Sequence, residues 1–512
     1  MKKNNRQTAG FGQVQRCAVK GGSRNRWRWW AGIAVGAAVL PGLCGCVYLQ
    51  HQPEFDPAQF AARAADRPWV APAGGQEYAV PADAMAPAAI APPAAHKLYD
   101  LPELIDLALR HNPATHQAWA AARAAAAAWG STRASYYPSA GFEGDAGYTK
   151  FQFEDEFNDI VIKQWEYSPM VQLNYVLLDF GRRSAAADAA RQQLAAADFL
   201  FNRKIQEVVF ATQRAFYALS ASKAAVEAAR KNVELTQTDV DAVSQRLDLG
   251  LATEPALLLA RERRAQAGYD LENAKLLVRD AQADLAAALG MAANAPLDVE
   301  NLDRQPIPHQ LGASVDQLID RAVKQRPDLA AQVAALRRRE AELRRTQAAW
   351  YPTVGLSAVY GENLWNYNWN SLPVVNSLLP QYAAHLTMQW DLFTGLRRLN
   401  DIRQATAQRD AARAALQASE VDATAQVWHA YFQFRSARKK YEYAQAILSA
   451  SQEAYDSNLE AYRQGLSTIV ELLSAGNDLA TARYTLIQSK ADLLTASAAV
   501  AYAAGAVPMP NR

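Results

Sequence analysis

The most reactive side chains are three thiols, and Cys17, Cys44 and Cys46 all stand at or before position 46. The rest of the chain therefore has no disulfide, no thiolate metal site and no cysteine nucleophile. A thiol beside an apolar run has one further use, to carry acyl chains. The seven histidines are scattered. His111 and His116 are five apart on a helix and do not share a face, which argues against a metal site. There is no Gly-Lys-Ser/Thr phosphate loop, no dinucleotide Gly-rich turn, no Gly-x-Ser-x-Gly elbow and no His-Glu-x-x-His pair. The chain reads as a non-enzyme without cofactor or metal, so any energy must come from a partner. Eight of the 53 basic residues and none of the 51 acidic ones lie in 1–45, leaving a net −6 on the remainder. A nucleic-acid binder needs the opposite balance, because its affinity rests on neutralising phosphates.

Those thiols sit in what reads as an address. Trp29 to Leu40 is uncharged and mostly apolar; it follows a basic segment and precedes Pro41-Gly42-Leu43-Cys44-Gly45-Cys46. Basic region, short apolar region and small residues are the layout of an export signal, assigned to 1–45. Leu43-Cys44-Gly45-Cys46 resembles a bacterial lipoprotein box with Cys46 as the lipidated residue. Cys44 fits less well, because Pro41 would take the box position where Leu is usual. Val47 rather than Asp after Cys46 favours, by the same resemblance, the outer membrane. An uncleaved transmembrane anchor is the alternative, since Trp29–Gln50 has no charge. Residues 46–98 read as a Pro/Ala-rich linker, with eight prolines in 47–97. No later segment approaches 18 consecutive apolar residues.

The remainder is a tandem repeat, assigned as 99–300 and 317–506, with a linker at 301–316 and a tail at 507–512. Leu104-Ile105-Asp106 recurs as Leu318-Ile319-Asp320, Asn112-Pro113 as Arg326-Pro327, and Tyr136-Tyr137-Pro138 as Trp350-Tyr351-Pro352, all 214 apart. Leu177-Leu178-Asp179-Phe180-Gly181-Arg182-Arg183 matches Leu392-Phe393-Thr394-Gly395-Leu396-Arg397-Arg398 at 215. So does Gly250-Leu251-Ala252-Thr253 with Gly465-Leu466-Ser467-Thr468.

Each repeat reads helix, two strands, long helix, turn, long helix. The strands show period two. Their apolar sets are Ala140, Phe142, Ala146, Tyr148; Trp165, Tyr167, Val171, Leu173, Tyr175, Leu177; Val354, Leu356, Ala358, Tyr360; and Tyr382, Leu386, Met388, Trp390, Leu392. Runs of about 10–13 residues suit tilted strands crossing a bilayer, and the aromatics near their ends suit interfacial girdles. A soluble half-buried sheet would alternate in the same way. The helices show period seven through Leu219, Val226, Val233, Val240 and Leu247, and again through Leu472, Leu479, Leu486, Leu493 and Val500. Such heptads predict antiparallel pairs that turn at Gly250 and Gly465. Arg183 to Asp248 holds no Gly or Pro, so it predicts roughly 100 Å of helix.

Four membrane strands cannot close a barrel, and unpaired edges in lipid cost several kcal/mol per group. Three copies would give twelve strands, with the helices continuing as a helical barrel. The fold expected is thus mainly α with membrane β, a trimer forming a 12-stranded β-barrel plus a periplasmic α-helical barrel.

Over 99–505 the chain resembles the outer membrane efflux protein family, the TolC-like trimeric channels. The double repeat, the Tyr-Pro strand entries, the two Arg-Arg strand exits and both Gly-Leu turns carry the likeness. It implies a homotrimer in outer-membrane lipid, a periplasmic adaptor and an inner-membrane transporter of proton-driven or ABC type. It also implies adaptor-docking tips at Arg246, Leu249, Gly250, Leu251 and Thr253, and at Arg463, Gly465, Leu466 and Ser467. Tyr462 matches a tyrosine that helps hold the inner end closed, and Glu471 an acid of a constriction ring. Ser467 stands where a gating arginine can occur, Ser474 where a second acid can occur, and Ala256 opposite Glu471 in the first repeat.

The function implied is a passive exit channel for small toxic molecules. The duct of a type I protein-secretion system shares the fold, and a structural coiled-coil lipoprotein is the reading from another class. Glu154, Asp155, Glu156 and Asp159 read as an acidic outer loop, and Trp365, Tyr367 and Trp369 as part of the other. Arg182-Arg183 and Arg397-Arg398 stand where strands hand over to helices, either at lipid headgroups or as solvated helix starts.

Overall fold

The structure, a computed structural model, describes residues 97–155, 158–307, 312–369 and 373–506. Cys17, Cys44, Cys46, the signal segment and almost all of the Pro/Ala-rich linker lie outside the described residues. The first repeat runs β1 (Leu98–Tyr99), α1 (Leu101–His111), α2 (Pro113–Arg133), β2 (Ser139–Asp155), β3 (Asn158–Leu178), α3 (Arg182–Asp248), α4 (Glu254–Leu289) and β4 (Asp298–Val299). The second runs α5 (Val315–Gln325), α6 (Pro327–Gln347), β5 (Thr353–Trp369), β6 (Val375–Gln389), α7 (Arg397–Arg463) and α8 (Ile469–Ala503).

The single opening helix expected of each repeat is two. Pro113 and Pro327 lack an N–H and push the preceding residue out of the helical region. Asn112 and Arg326 are accordingly extended, with ψ of 121° and 123°. Asn112 then caps α2 through Ala114 N–H at 2.8 Å, and its amide donates to Ala288 O at 2.8 Å. Each Pro corner receives the end of its own repeat's hairpin. Gly290 (φ +74°) lies so close to Asn112 and Pro113 that a Cβ would sit 2.6 Å from Pro113 Cδ. Gly505 (φ +77°) abuts Arg326 in the same manner. Both glycines combine positive φ with close approach, so no other residue fits there without strain.

The four long strands form one antiparallel sheet in the order β2-β3-β5-β6. Its cross-strand rows align the four apolar sets on one face: Phe142 pairs with Val171, Val171 with Tyr360, and Tyr360 with Tyr382. In the row of Phe142, Val171, Tyr360 and Tyr382 that face is exposed, while on β3 the alternate residues Gln164, Glu166, Ser168 and Gln172 are buried or half-buried, so we assign the apolar face to the convex side and the polar face to the concave side. On β6, Met388 to Leu378 spans ten steps, about 33 Å along the strand and about 25 Å once tilted, the height of an outer-membrane apolar band. Tyr148 and Trp165 face each other across the strands with ring centroids 4.9 Å apart at the upper limit of this band. Among the described residues, the outer edges of β2 and β6 have no strand partner.

The strands are longer than the alternation predicts, at 17, 21, 17 and 15 residues. Glu154 and Asp155 belong to β2, Asp159 to β3, and Trp365, Tyr367 and Trp369 to β5, so none of these six is a loop residue as expected, and Glu156 lies outside the described residues. Leu392 and Trp390 lie past the end of β6.

At the strand exits, the second arginine of each pair is a staple rather than a headgroup ligand. Arg183 pairs with Asp179 at 3.0 Å and donates to Val176 O at 2.6 Å. Arg398 is buried, donates to Asp391 O and lies over the Trp350 ring at 4.8 Å.

The two long helices α3 and α7 have 67 residues each, about 100 Å. Their return partners α4 and α8 have only 36 and 35. The strand-proximal halves are covered instead by α2 and α6, and α8 also packs on α3. The buried core follows this split. Leu104, Phe216, Leu219, Leu285 and Leu289 pack in the first repeat, and Leu318, Val427, Phe434, Leu493 and Val500 in the second. A separate cluster of Val243, Leu257, Tyr455, Tyr462, Leu472 and Leu479 lies between the repeats near the turns.

Candidate functional site

Both turns end their helices in the same way. A helix leaves its last carbonyls unpaired, and a residue in the left-handed region lets the chain fold back onto them. At the first turn Gly250 (φ +69°) donates to Leu247 O at 2.9 Å and Leu251 donates to Arg246 O at 2.7 Å. At the second, Gly465 (φ +80°) donates to Tyr462 O at 3.0 Å and Leu466 to Ala461 O at 2.8 Å. The pattern drives a leucine outward at each end: Leu249, Leu251 and Leu466 are 73%, 63% and 79% exposed. Arg463 and Thr253 are exposed beside them, and Ser467 is half-buried. The residues expected at the tips thus form two neighbouring knobs, each with an apolar point and a polar flank.

Two polar rungs tie the first repeat's long helix to the second's, one heptad apart. Arg246 Nη1 donates to Tyr462 O at 2.7 Å and to Arg463 O at 3.3 Å, and its guanidinium lies 4.9 Å from the Tyr462 ring centroid. It also comes within 3.6 Å of the Cβ position that Gly465 leaves empty. Seven residues back, Tyr455 donates its hydroxyl to Asp239 Oδ1 at 3.0 Å. Asp239 is only 1% exposed and its Oδ2 has no hydrogen-bond partner among the described residues. Burial pushes the Asp239 carboxyl up to about 6, against a smaller downward pull from the Tyr455 hydroxyl. Burial also raises Tyr455, with the Asp239 charge adding to it. Among the described residues no His/Cys/Asp/Glu cluster could hold a metal ion.

Tyr462 is 4% exposed and lies inside the tip cluster rather than on its surface. Burial raises its hydroxyl pKa. Within the single chain Glu471 caps a helix. It sits at the third position of α8 and completes a capping box: Thr468 N–H and Ser467 Oγ both donate to its Oε2 at 2.8 Å, and Glu471 N–H donates to Thr468 Oγ1 at 3.3 Å. Those donors, the Thr468 backbone first, hold the carboxyl below its usual range. Thr-x-x-Glu before an apolar run is itself a signature of this cap, so the role was legible from spacing. The Asp239–Tyr455 rung was not singled out; its signal is an acid set one heptad before Arg246 inside an apolar seam.

A model of the outer membrane efflux protein family matches residues 104–291 and 318–506. Protein CyaE of Bordetella pertussis is 30% identical over 364 residues, covering 69% of this chain and 73% of that protein. Among solved structures, the outer-membrane channel OprN aligns with a TM-score of 0.71 at 19% identity, over 79% of this chain and 89% of that one. The outer membrane protein VceC of Vibrio cholerae aligns with a TM-score of 0.67 at 20% identity, over 79% and 96%.

Proposed function

The chain belongs to the outer membrane efflux protein family, and from that premise we propose that it is the passive exit duct of a tripartite efflux system for small toxic molecules. One observation carries the reading. A sheet with an apolar convex face, a polar concave one and two open edges runs directly into helices of about 100 Å that end in exposed leucine knobs. Open edges have no place in lipid, so they must pair. Three copies joining β2 to β6 give twelve strands around a polar lumen, and the helices extend that lumen through the periplasm.

In this reading Leu249, Gly250, Leu251 and Thr253, with Arg463, Gly465, Leu466 and Ser467, meet a periplasmic adaptor, which couples the duct to an inner-membrane transporter. Arg246 with Tyr462, and Asp239 with Tyr455, are the latches that keep the second hairpin against the first when the duct is at rest. Glu471 shapes the constriction by fixing the start of α8. Cys46, outside the described residues, is the site of an acyl anchor.

An in-cell photo-crosslink from Leu466, followed by mass spectrometry, tests the proposal. A periplasmic adaptor paired with a proton-driven transporter supports it. An adaptor paired with an ATP-driven exporter moves the cargo class to protein. Capture of peptidoglycan-associated proteins alone would leave the tips without a docking role and favour a structural spacer.

A further inference from the structure

Above Tyr148 and Trp165 the sheet exchanges its polarity. The β2–β3 register is continuous from Ser139–Asn174 to Asp155–Asn158, so no bulge swaps the faces. Yet the convex side, apolar as far as Tyr148 and Trp165, continues as Lys150 against Lys163 and Gln152 against Val161. The concave side, polar through Glu143, Asp145, Gln164 and Thr149, continues as Phe151 against Ile162 and Phe153 against Ile160. The second hairpin makes a related exchange that begins lower, since Asn366 stands beside Trp165 and Trp365 beside Glu166. Its convex Leu364–Leu378 pair gives way to Asn366–Asn376, while its concave side is mixed, with Asn363 opposite Leu379 and Trp365 opposite Ser377.

A hairpin standing in water has no reason to be apolar on its inner side alone. Phe151 and Phe153 are 46% and 55% exposed in the single chain, with their rings stacked 6.3 Å apart. The lysines on the convex side mark where the apolar band of the lipid ends, so the aromatic concave side is not lipid-facing. What lies opposite it, across the axis of a closed barrel, is the same face of the other copies. Twelve strands at about 4.8 Å spacing and about 40° tilt give a backbone diameter of about 24 Å, a gap that three inward-leaning hairpins can bridge.

We propose that Phe151, Phe153, Ile160 and Ile162 of three copies pack on one another above the membrane as an apolar collar that closes the outer mouth at rest. The collar is a second gate at the opposite end from the hairpin tips. It excludes ions and water because a narrow apolar constriction dewets. It yields to apolar or amphipathic cargo, which replaces the lost contacts as it passes. The proposal rests on the trimeric duct reading.

The test uses the full chain extracted in detergent. Phe153→Cys, treated with a short bis-maleimide, is expected to join copies covalently. Gln152→Cys, at the same height on the convex side, and the unsubstituted protein are expected not to. In planar bilayers, Phe151→Ser/Phe153→Ser/Ile162→Ser is added to an Arg246→Ala parent, whose inner end is already loosened. Conductance is expected to rise tenfold or more over that parent. Trimers in which Phe153→Cys copies do not join, or equal conductance with and without the serines, would overturn the collar while leaving the duct standing. A protein that extracts as a monomer would overturn the trimeric reading and the collar with it.

Discussion

At the first tip, Gly250 and Leu251 return the chain onto the Leu247 and Arg246 carbonyls; at the second, Gly465 and Leu466 return it onto Tyr462 and Ala461. The backbones match, but the side chains around them do not. Arg246 occupies the position that Ala461 holds in the second repeat, and it reaches across the gap between hairpins to the Tyr462 carbonyl. Thr253, first in line at α4, makes no side-chain cap, and Pro255 fills the first turn. Thr468 at α8 has a full capping box with Glu471. Duplication thus kept the glycine that the turn geometry demands and divided the rest: the first tip supplies the bridge, the second supplies the cap.

The strongest way to break this comparison is Arg246→Ala. It removes the two charge-assisted hydrogen bonds that cross to the second hairpin and a ring contact, about 1.5–3 kcal/mol, and should raise open probability in a bilayer by about tenfold or more.

The second rung differs from the first in responding to pH. Asp239 holds its proton up to about 6 in the folded tip, whereas an unfolded aspartate releases it near 4. Between those values the folded state binds more protons, so the stability of the α3–α7 contact is greatest below about pH 4 and falls as pH rises through 6. The expected loss is on the order of 2 kcal/mol. Hydrogen exchange of the tip amides at pH 4.5 and 7.5, corrected for intrinsic rates, should show it; Asp239→Asn should be flat.

Gly250→Ala and Gly465→Ala sharpen the shared half of the comparison. Each puts a Cβ at positive φ and should cost about 1 kcal/mol, equally at both tips. The smallest effect separates the caps. Thr468→Ala should destabilise the start of α8 by about 1 kcal/mol, while Thr253→Ala should change the start of α4 by almost nothing. Exchange rates of the first-turn amides read both.

Much of the architecture was legible because repetition and period are strong signals. The 214–215 offset found both turns, both Pro corners and both strand exits, and the register confirms that the four apolar sets share a face. The strand ends were not legible, for a physical reason. Phe151 and Phe153 have the opposite parity from Phe142 and Tyr148, so the alternation fails at Thr149 although the hydrogen-bonded ladder continues. A reading that follows apolar parity must end the strand there and call the rest a loop. The helix pair before each sheet was missed because Asn112-Pro113 was used as a repeat marker and not as a helix break. At the tips, the family resemblance pointed to Arg246, Tyr462 and Glu471 but not to their contacts. Arg246 bridges, Tyr462 is buried beneath it, and Glu471 caps.

The central claim is that one chain carries a third of a closed duct. Native mass spectrometry of the detergent-extracted full chain tests it most directly. The account predicts three copies and no other assembly, because joining β2 to β6 three times leaves no open edge. A monomer, or a ladder of assemblies that does not stop at three, would contradict it.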